Sequence, residues 1–123
     1  MSVELIITKS VDHNFNPTGE KIALSDWLRY IKSDKHLRLR TAPITVRSPS
    51  GMELSVNPGK GQSEVTYRGE KLLFLRYSNG ELWMNYVDGL DDPQNPIRRK
   101  IVKIAKHFSA IITHDAAEEV LDW

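Results

Sequence analysis

The sequence predicts an α+β fold: one domain, a mainly antiparallel sheet of about six or seven strands, and two amphipathic helices. Three observations carry that prediction. Short runs with an apolar period of two follow one another from Leu37 to Val87, divided by turns rich in Gly, Pro, Asn and Ser. Two other segments, Leu24 to Asp34 and Asn95 to Phe108, repeat their apolar residues at the helical period. The chain has 123 residues, the size of a single domain with one modest core.

In order, Val3 to Thr8 (VELIIT) is a β-rich run and the expected first strand. Asp12 to Gly19 (DHNFNPTG) is a turn-rich loop. Leu24 to Asp34 reads as a short helix with Ser25 as its cap and Trp27, Leu28, Tyr30 and Ile31 on its apolar side. Leu28 then occupies the third helical position, so there is no capping box. From Leu37 the period changes to two. Leu37 and Leu39 alternate with Arg38 and Arg40, and Ile44 and Val46 follow Pro43. Ser48-Pro49-Ser50-Gly51 makes a turn before Met52, Leu54 and Val56. Asn57 to Gly61 (NPGKG) makes another before Glu64 to Arg68 and Leu72 to Tyr77. Asn79-Gly80, between Leu72–Tyr77 and Glu81–Val87, matches a two-residue type I′ hairpin, since both residues tolerate positive φ. Ala110 to His114 is the last strand. The order is β-α-β-β-β-β-β-α-β, with the first and last strands able to join parallel to a neighbour through helical crossovers.

The second helix carries the most information. Ile97, Ile101, Ile104, Ala105 and Phe108 share one side, and only Val102 strays from it. Asn95 is the expected N-cap and Pro96 the first helical residue, where a missing N–H costs nothing. Arg98, Arg99, Lys100, Lys103, Lys106 and His107 fill the opposite arc with no acid among them. Asp88, Asp91 and Asp92 precede this helix, and Asp115, Glu118, Glu119 and Asp122 follow it. Such segregation suits the helix macrodipole. The acidic tail could also fold back over the basic face, or the face could await an acidic partner.

Composition narrows the functions. Hydrophobic residues make up 40% and charged residues 27%, as in an ordinary folded globule. There is no cysteine, which excludes disulfides, thiolate metal sites and thiol nucleophiles. No apolar run approaches the roughly 20 residues that span a bilayer, and the first residues lack a signal pattern, so a cytoplasmic protein without a membrane is expected. A net charge of +1 gives the whole molecule no strong field for nucleic acid.

Motifs for chemistry are weak. Asn57 to Ser63 has the composition of a phosphate loop, but its lysine precedes the second glycine and the loop lies between strands, so it reads as a turn. His114-Asp115 is like the metal-binding pair of certain phosphohydrolases, without their further ligands. The four histidines, His13, His36, His107 and His114, show no local ligand spacing. No GxSxG elbow is present, and Glu118 and Glu119 are adjacent, pointing apart on helix or strand alike. No catalytic residue, metal ligand or cofactor is therefore assigned. A second basic cluster, Lys32, Lys35, His36, Arg38 and Arg40, and the strand aromatics Tyr67, Tyr77, Trp83 and Tyr86 leave nucleic-acid stacking open. Trp27, Trp83 and Trp123, with their neighbouring tyrosines, are the residue types that anchor protein interfaces.

Leu5-Ile6-Ile7-Thr8, Ala23-Leu24-Ser25-Asp26-Trp27-Leu28 with Ser33-Asp34, Leu37-Arg38-Leu39, Asn79-Gly80-Glu81-Leu82, and Ile104 to Ala110 together resemble a group of short, functionally uncharacterised bacterial α+β proteins. Small domains of that type occur among bacterial immunity proteins, which occlude a toxin's active site. The resemblance implies a shared fold and carries no catalytic residue. Many immunity proteins are markedly acidic; this chain is not.

The expected function is thus a non-catalytic protein-binding module that neutralises a toxin domain by occlusion. Its partner would meet either Arg98, Arg99, Lys103 and Lys106 as an acid-seeking face, or Asp115, Glu118, Glu119, Asp122 and Trp123 as a base-seeking edge. The alternative is a nucleic-acid-binding module that sets the basic helix 96–108 on phosphates.

Overall fold

The computed structural model describes residues 4–12, 14, 16–41, 43–56, 60–86, 89–114, 120, 121 and 123. Its elements are β1 (Glu4–Thr8), α1 (Leu24–Ser33), β2 (Leu37–Leu39), β3 (Ile44–Arg47), β4 (Glu53–Val56), β5 (Ser63–Tyr67), β6 (Glu70–Leu73), β7 (Arg76–Ser78), β8 (Glu81–Asn85), α2 (Pro96–His107) and β9 (Ile111–His114). The fold is α+β. The strands do not form one sheet but a four-stranded sheet β7-β8-β1-β9, a three-stranded sheet β2-β5-β6 and the hairpin β3-β4. Among the described residues every ladder is antiparallel, including both neighbours of β1, so neither β1 nor β9 joins in parallel.

The division of the sheet happens inside a run that reads as one strand. Leu72 to Tyr77 bends at Phe74-Leu75, leaving β6 in one sheet and β7 in the other. Both residues at the bend are buried, so the alternation of inside and outside fails there. Buried polar side chains stabilise the corner. The Gln62 amide donates to the Phe74 carbonyl at 3.0 Å, and the Ser63 hydroxyl donates to the Leu75 carbonyl at 2.7 Å. Gln62 thereby gives the buried Phe74 carbonyl a side-chain partner, worth about 1–3 kcal/mol against leaving it unpaired, while the Leu75 carbonyl accepts from the Ser63 backbone N–H at 3.0 Å as well as from its hydroxyl.

Pleating sorts β1 cleanly. Leu5 and Ile7 join the main core cluster with Leu82, Met84 and Ile112, whereas Ile6 is buried on the other face. The same cluster takes Ile97, Ile101, Ile104, Ala105 and Phe108 from the α2 side and Trp27, Tyr30 and Ile31 from α1. Trp27 is fully buried, stacks on Tyr30 at 6.1 Å, and its indole N–H donates to the Gly61 carbonyl at 2.9 Å. Gly61 adopts φ +88°, and a Cβ there would sit 2.6 Å from that of Tyr77. Its place in the NPGKG segment is structural.

The α1 start differs from expectation. Ala23, not Ser25, is the N-cap, and no side chain caps the helix. Trp27 donates its backbone N–H to the Ala23 carbonyl, which begins the helix early enough to bury Trp27, Tyr30 and Ile31 together. Core burial outweighs a cap contribution of about 1 kcal/mol. The Asn79-Gly80 turn has φ of 48° and 85° and joins paired Ser78 and Glu81, as type I′ requires. Among the described residues no helix is long and apolar enough to cross a membrane.

Candidate interaction groove

Asn95 starts α2 as its sequence predicts. Its side-chain oxygen accepts from the backbone N–H of Ile97 at 2.8 Å and of Arg98 at 3.3 Å, with Pro96 as the first helical residue. Burial of Ile97, Ile101, Ile104 and Ala105 then fixes the helix rotation and turns the basic arc away from the core.

That arc divides into fastened and unfastened cations. Arg98 donates from Nη1 to the carbonyls of Leu90 (3.3 Å) and Asp91 (3.0 Å), and its guanidinium carbon lies 4.5 Å from the Trp123 ring centroid. It clasps the segment before the helix to the last residue of the sequence. Lys100 donates to Asp34 at 2.6 Å, with side chains only 15% and 8% exposed. The basic face is therefore not free of paired acids; α1 supplies one from its C-cap position, 66 residues away in sequence. His107 is exposed, with its ring 4.7 Å from that of Tyr30 and 4.8 Å from that of Phe108.

Burial alone would raise the Asp34 pKa. Hydrogen bonds from Lys100 and the His36 amide, with the charges of Lys100 and Lys103, outweigh it and hold the carboxyl below the ordinary carboxylate range. Burial, and then the Asp34 charge, pushes the Tyr30 phenol up.

Arg99, Lys103 and Lys106 are exposed, and among the described residues none has an ion-pair partner. With His36, Val102 and Trp123 they line a groove of about 740 Å³. Spaced i, i+4, i+7, the three cations extend about 10 Å along the helix axis. The arrangement offers a cation row beside an apolar and aromatic wall, suited to holding an anionic surface.

Trp123 is docked in this groove on Arg98, half-buried, so the structure joins it to the basic face. Asp115, Glu118, Glu119 and Asp122 lie outside the described residues, as does His13. The second basic cluster is not a unit: His36 reaches the groove, whereas Arg40 binds Glu64 at 3.3 Å and the Pro43 carbonyl at 2.8 Å. Of the strand aromatics, Tyr77 donates its hydroxyl to the Ile22 carbonyl, Trp83 donates to Glu81, and Tyr86 is the most exposed at 38%. His36 is an unforeseen member of the groove and Asp34 the unforeseen partner of Lys100, since nothing local in the sequence ties either to α2. Neither a protein-family model, nor a curated protein, nor a solved structure matches this chain.

Proposed function

We propose that this chain is a non-catalytic protein-binding module that neutralises its partner by occlusion, in the manner of a toxin-immunity protein, with the α2 groove as its contact surface. One observation carries the reading. Arg99, Lys103 and Lys106 stand exposed beside Trp123 and Val102, while the neighbouring Lys100 is neutralised within the fold. An aromatic anchor bordered by exposed charge matches the centre and polar rim of a protein interface. The acid-seeking face is thus Arg99, Lys103 and Lys106, with Arg98 holding Trp123 in place.

Tagged protein is captured from nuclease-treated source-cell lysate beside an Arg99→Glu/Lys103→Glu/Lys106→Glu variant. A near-stoichiometric polypeptide that is toxic alone, is neutralised by co-expression, and is lost by the variant supports the reading. The same groove also favours phosphate binding, because an indole beside a cation row can stack a base. That alternative predicts nucleic acid as the only capture, with an affinity falling steeply as salt rises.

A further inference from the structure

A second groove, of about 420 Å³, adjoins the first. Val102, Lys106 and Trp123 line both, so the two meet at these residues, the second lying between α2 and β9. Ile111, Ile112 and Leu121 give the second groove an apolar lining, and Lys106 is its one charged member among the described residues. Leu121 is held there by its backbone N–H, which donates to the Ile112 carbonyl at 2.7 Å, and Val120 bridges to Thr113. An apolar slot thus opens at the Lys106 end of a cation row.

We infer that the partner segment recognised here is an acidic amphipathic helix with one large apolar anchor beside the last carboxylate of its row. The inference rests on the protein-binding reading above. Charge complementarity selects carboxylates against Arg99, Lys103 and Lys106. Their positions along α2, about 0, 6 and 10 Å, follow the i, i+4, i+7 rise of a helix. Carboxylates on alternate residues of an extended strand would rise about 7 and 14 Å and drift out of step. The apolar slot selects the anchor, a Leu, Met or Phe side chain set among Ile111, Ile112 and Leu121. A phosphate chain would satisfy the cations and leave that slot without an occupant.

The test uses the whole chain and labelled synthetic helical peptides, read by fluorescence anisotropy. The parent peptide carries Glu at i, i+4 and i+7 and Leu at i+8; others carry Leu→Ala, single Glu→Gln changes, or the reversed order. A single-stranded DNA oligonucleotide is a further probe. Parent binding is expected to weaken about tenfold or more on Leu→Ala. Each Glu→Gln should weaken it about twofold to fivefold, and Lys106→Glu should weaken it further than any single Glu→Gln. Equal affinity for the Leu→Ala peptide overturns the inference, as does no binding of either peptide order up to about millimolar concentration. If the peptides fail while a captured protein is still lost on charge reversal, the helix is wrong and the protein-binding reading stands. If DNA binds and no protein is captured, both fall.

Discussion

Lys100 and Lys103 stand one turn apart on the same helix, with the same chemistry and opposite employment. Lys100 is largely buried against Asp34 and joins α2 to the end of α1; Lys103 is exposed on the groove. The difference comes from where α1 stops. Asp34 caps it through a backbone bond to the Ile31 carbonyl, and of the α2 lysines its carboxylate bonds Lys100, while Lys103 acts on it through charge. A run of basic residues on a helix is therefore a mixture of struts and exposed charges. Arg98 is another strut and Lys106 another exposed cation on the groove.

The contrast breaks most visibly at Asp34. Asp34→Ala strands a lysine that is mostly out of water and should cost about 3 kcal/mol, the low end for a buried pair because Lys100 retains some solvent. Urea midpoints at neutral pH measure it. Replacing both partners, as Asp34→Leu/Lys100→Met, should recover most of that loss; no recovery would mean the cost lies elsewhere than in the stranded charge.

Acid sharpens the same point. The folded-state pKa of Asp34 lies below its unfolded value of about 3.9, so the unfolded chain takes up its proton first as pH falls. The stability contributed by Asp34 is fully present above the ordinary carboxylate range and lost as pH falls through the lowered folded value. Wild type minus Asp34→Asn stability should therefore shrink between about pH 5 and 2. A constant difference across that range would contradict the lowered pKa.

Smaller effects are expected on the outer arc. Arg98→Ala removes two carbonyl contacts and the stack on Trp123, for about 1–2 kcal/mol, with a red shift of Trp123 emission as its ring gains water. Lys106→Glu should change stability by no more than about 0.5 kcal/mol while abolishing partner capture. A Lys106→Glu variant that melts like Asp34→Ala would erase the distinction between strut and exposed charge.

Much of this molecule is legible locally. The period of Ile97, Ile101, Ile104, Ala105 and Phe108 with the Asn95-Pro96 start predicts α2, and Asn79-Gly80 predicts its hairpin. The Arg68-Gly69 turn shares that geometry, with φ of 53° and 78° between paired Tyr67 and Glu70, yet is hard to read because arginine seldom marks a positive φ. The bend at Phe74-Leu75 is silent for another reason. Its partners, Gln62 and Ser63, lie 12 positions upstream and are themselves ordinary strand-edge residues by sequence. At the α1 start, the local capping preference of Ser25 yields to burial of Trp27.

Period, caps and turn chemistry act between near neighbours, so the α+β class, the helix that bears the cations and the apolar face that orients it are all written in local sequence. Tertiary structure alone decided that the strands divide between sheets, that Asp34 removes Lys100 from the free surface, and that Trp123 stands beside Arg99, Lys103 and Lys106. Those outcomes depend on contacts between residues distant in the chain, made only when burial of a shared core fixes where each element ends.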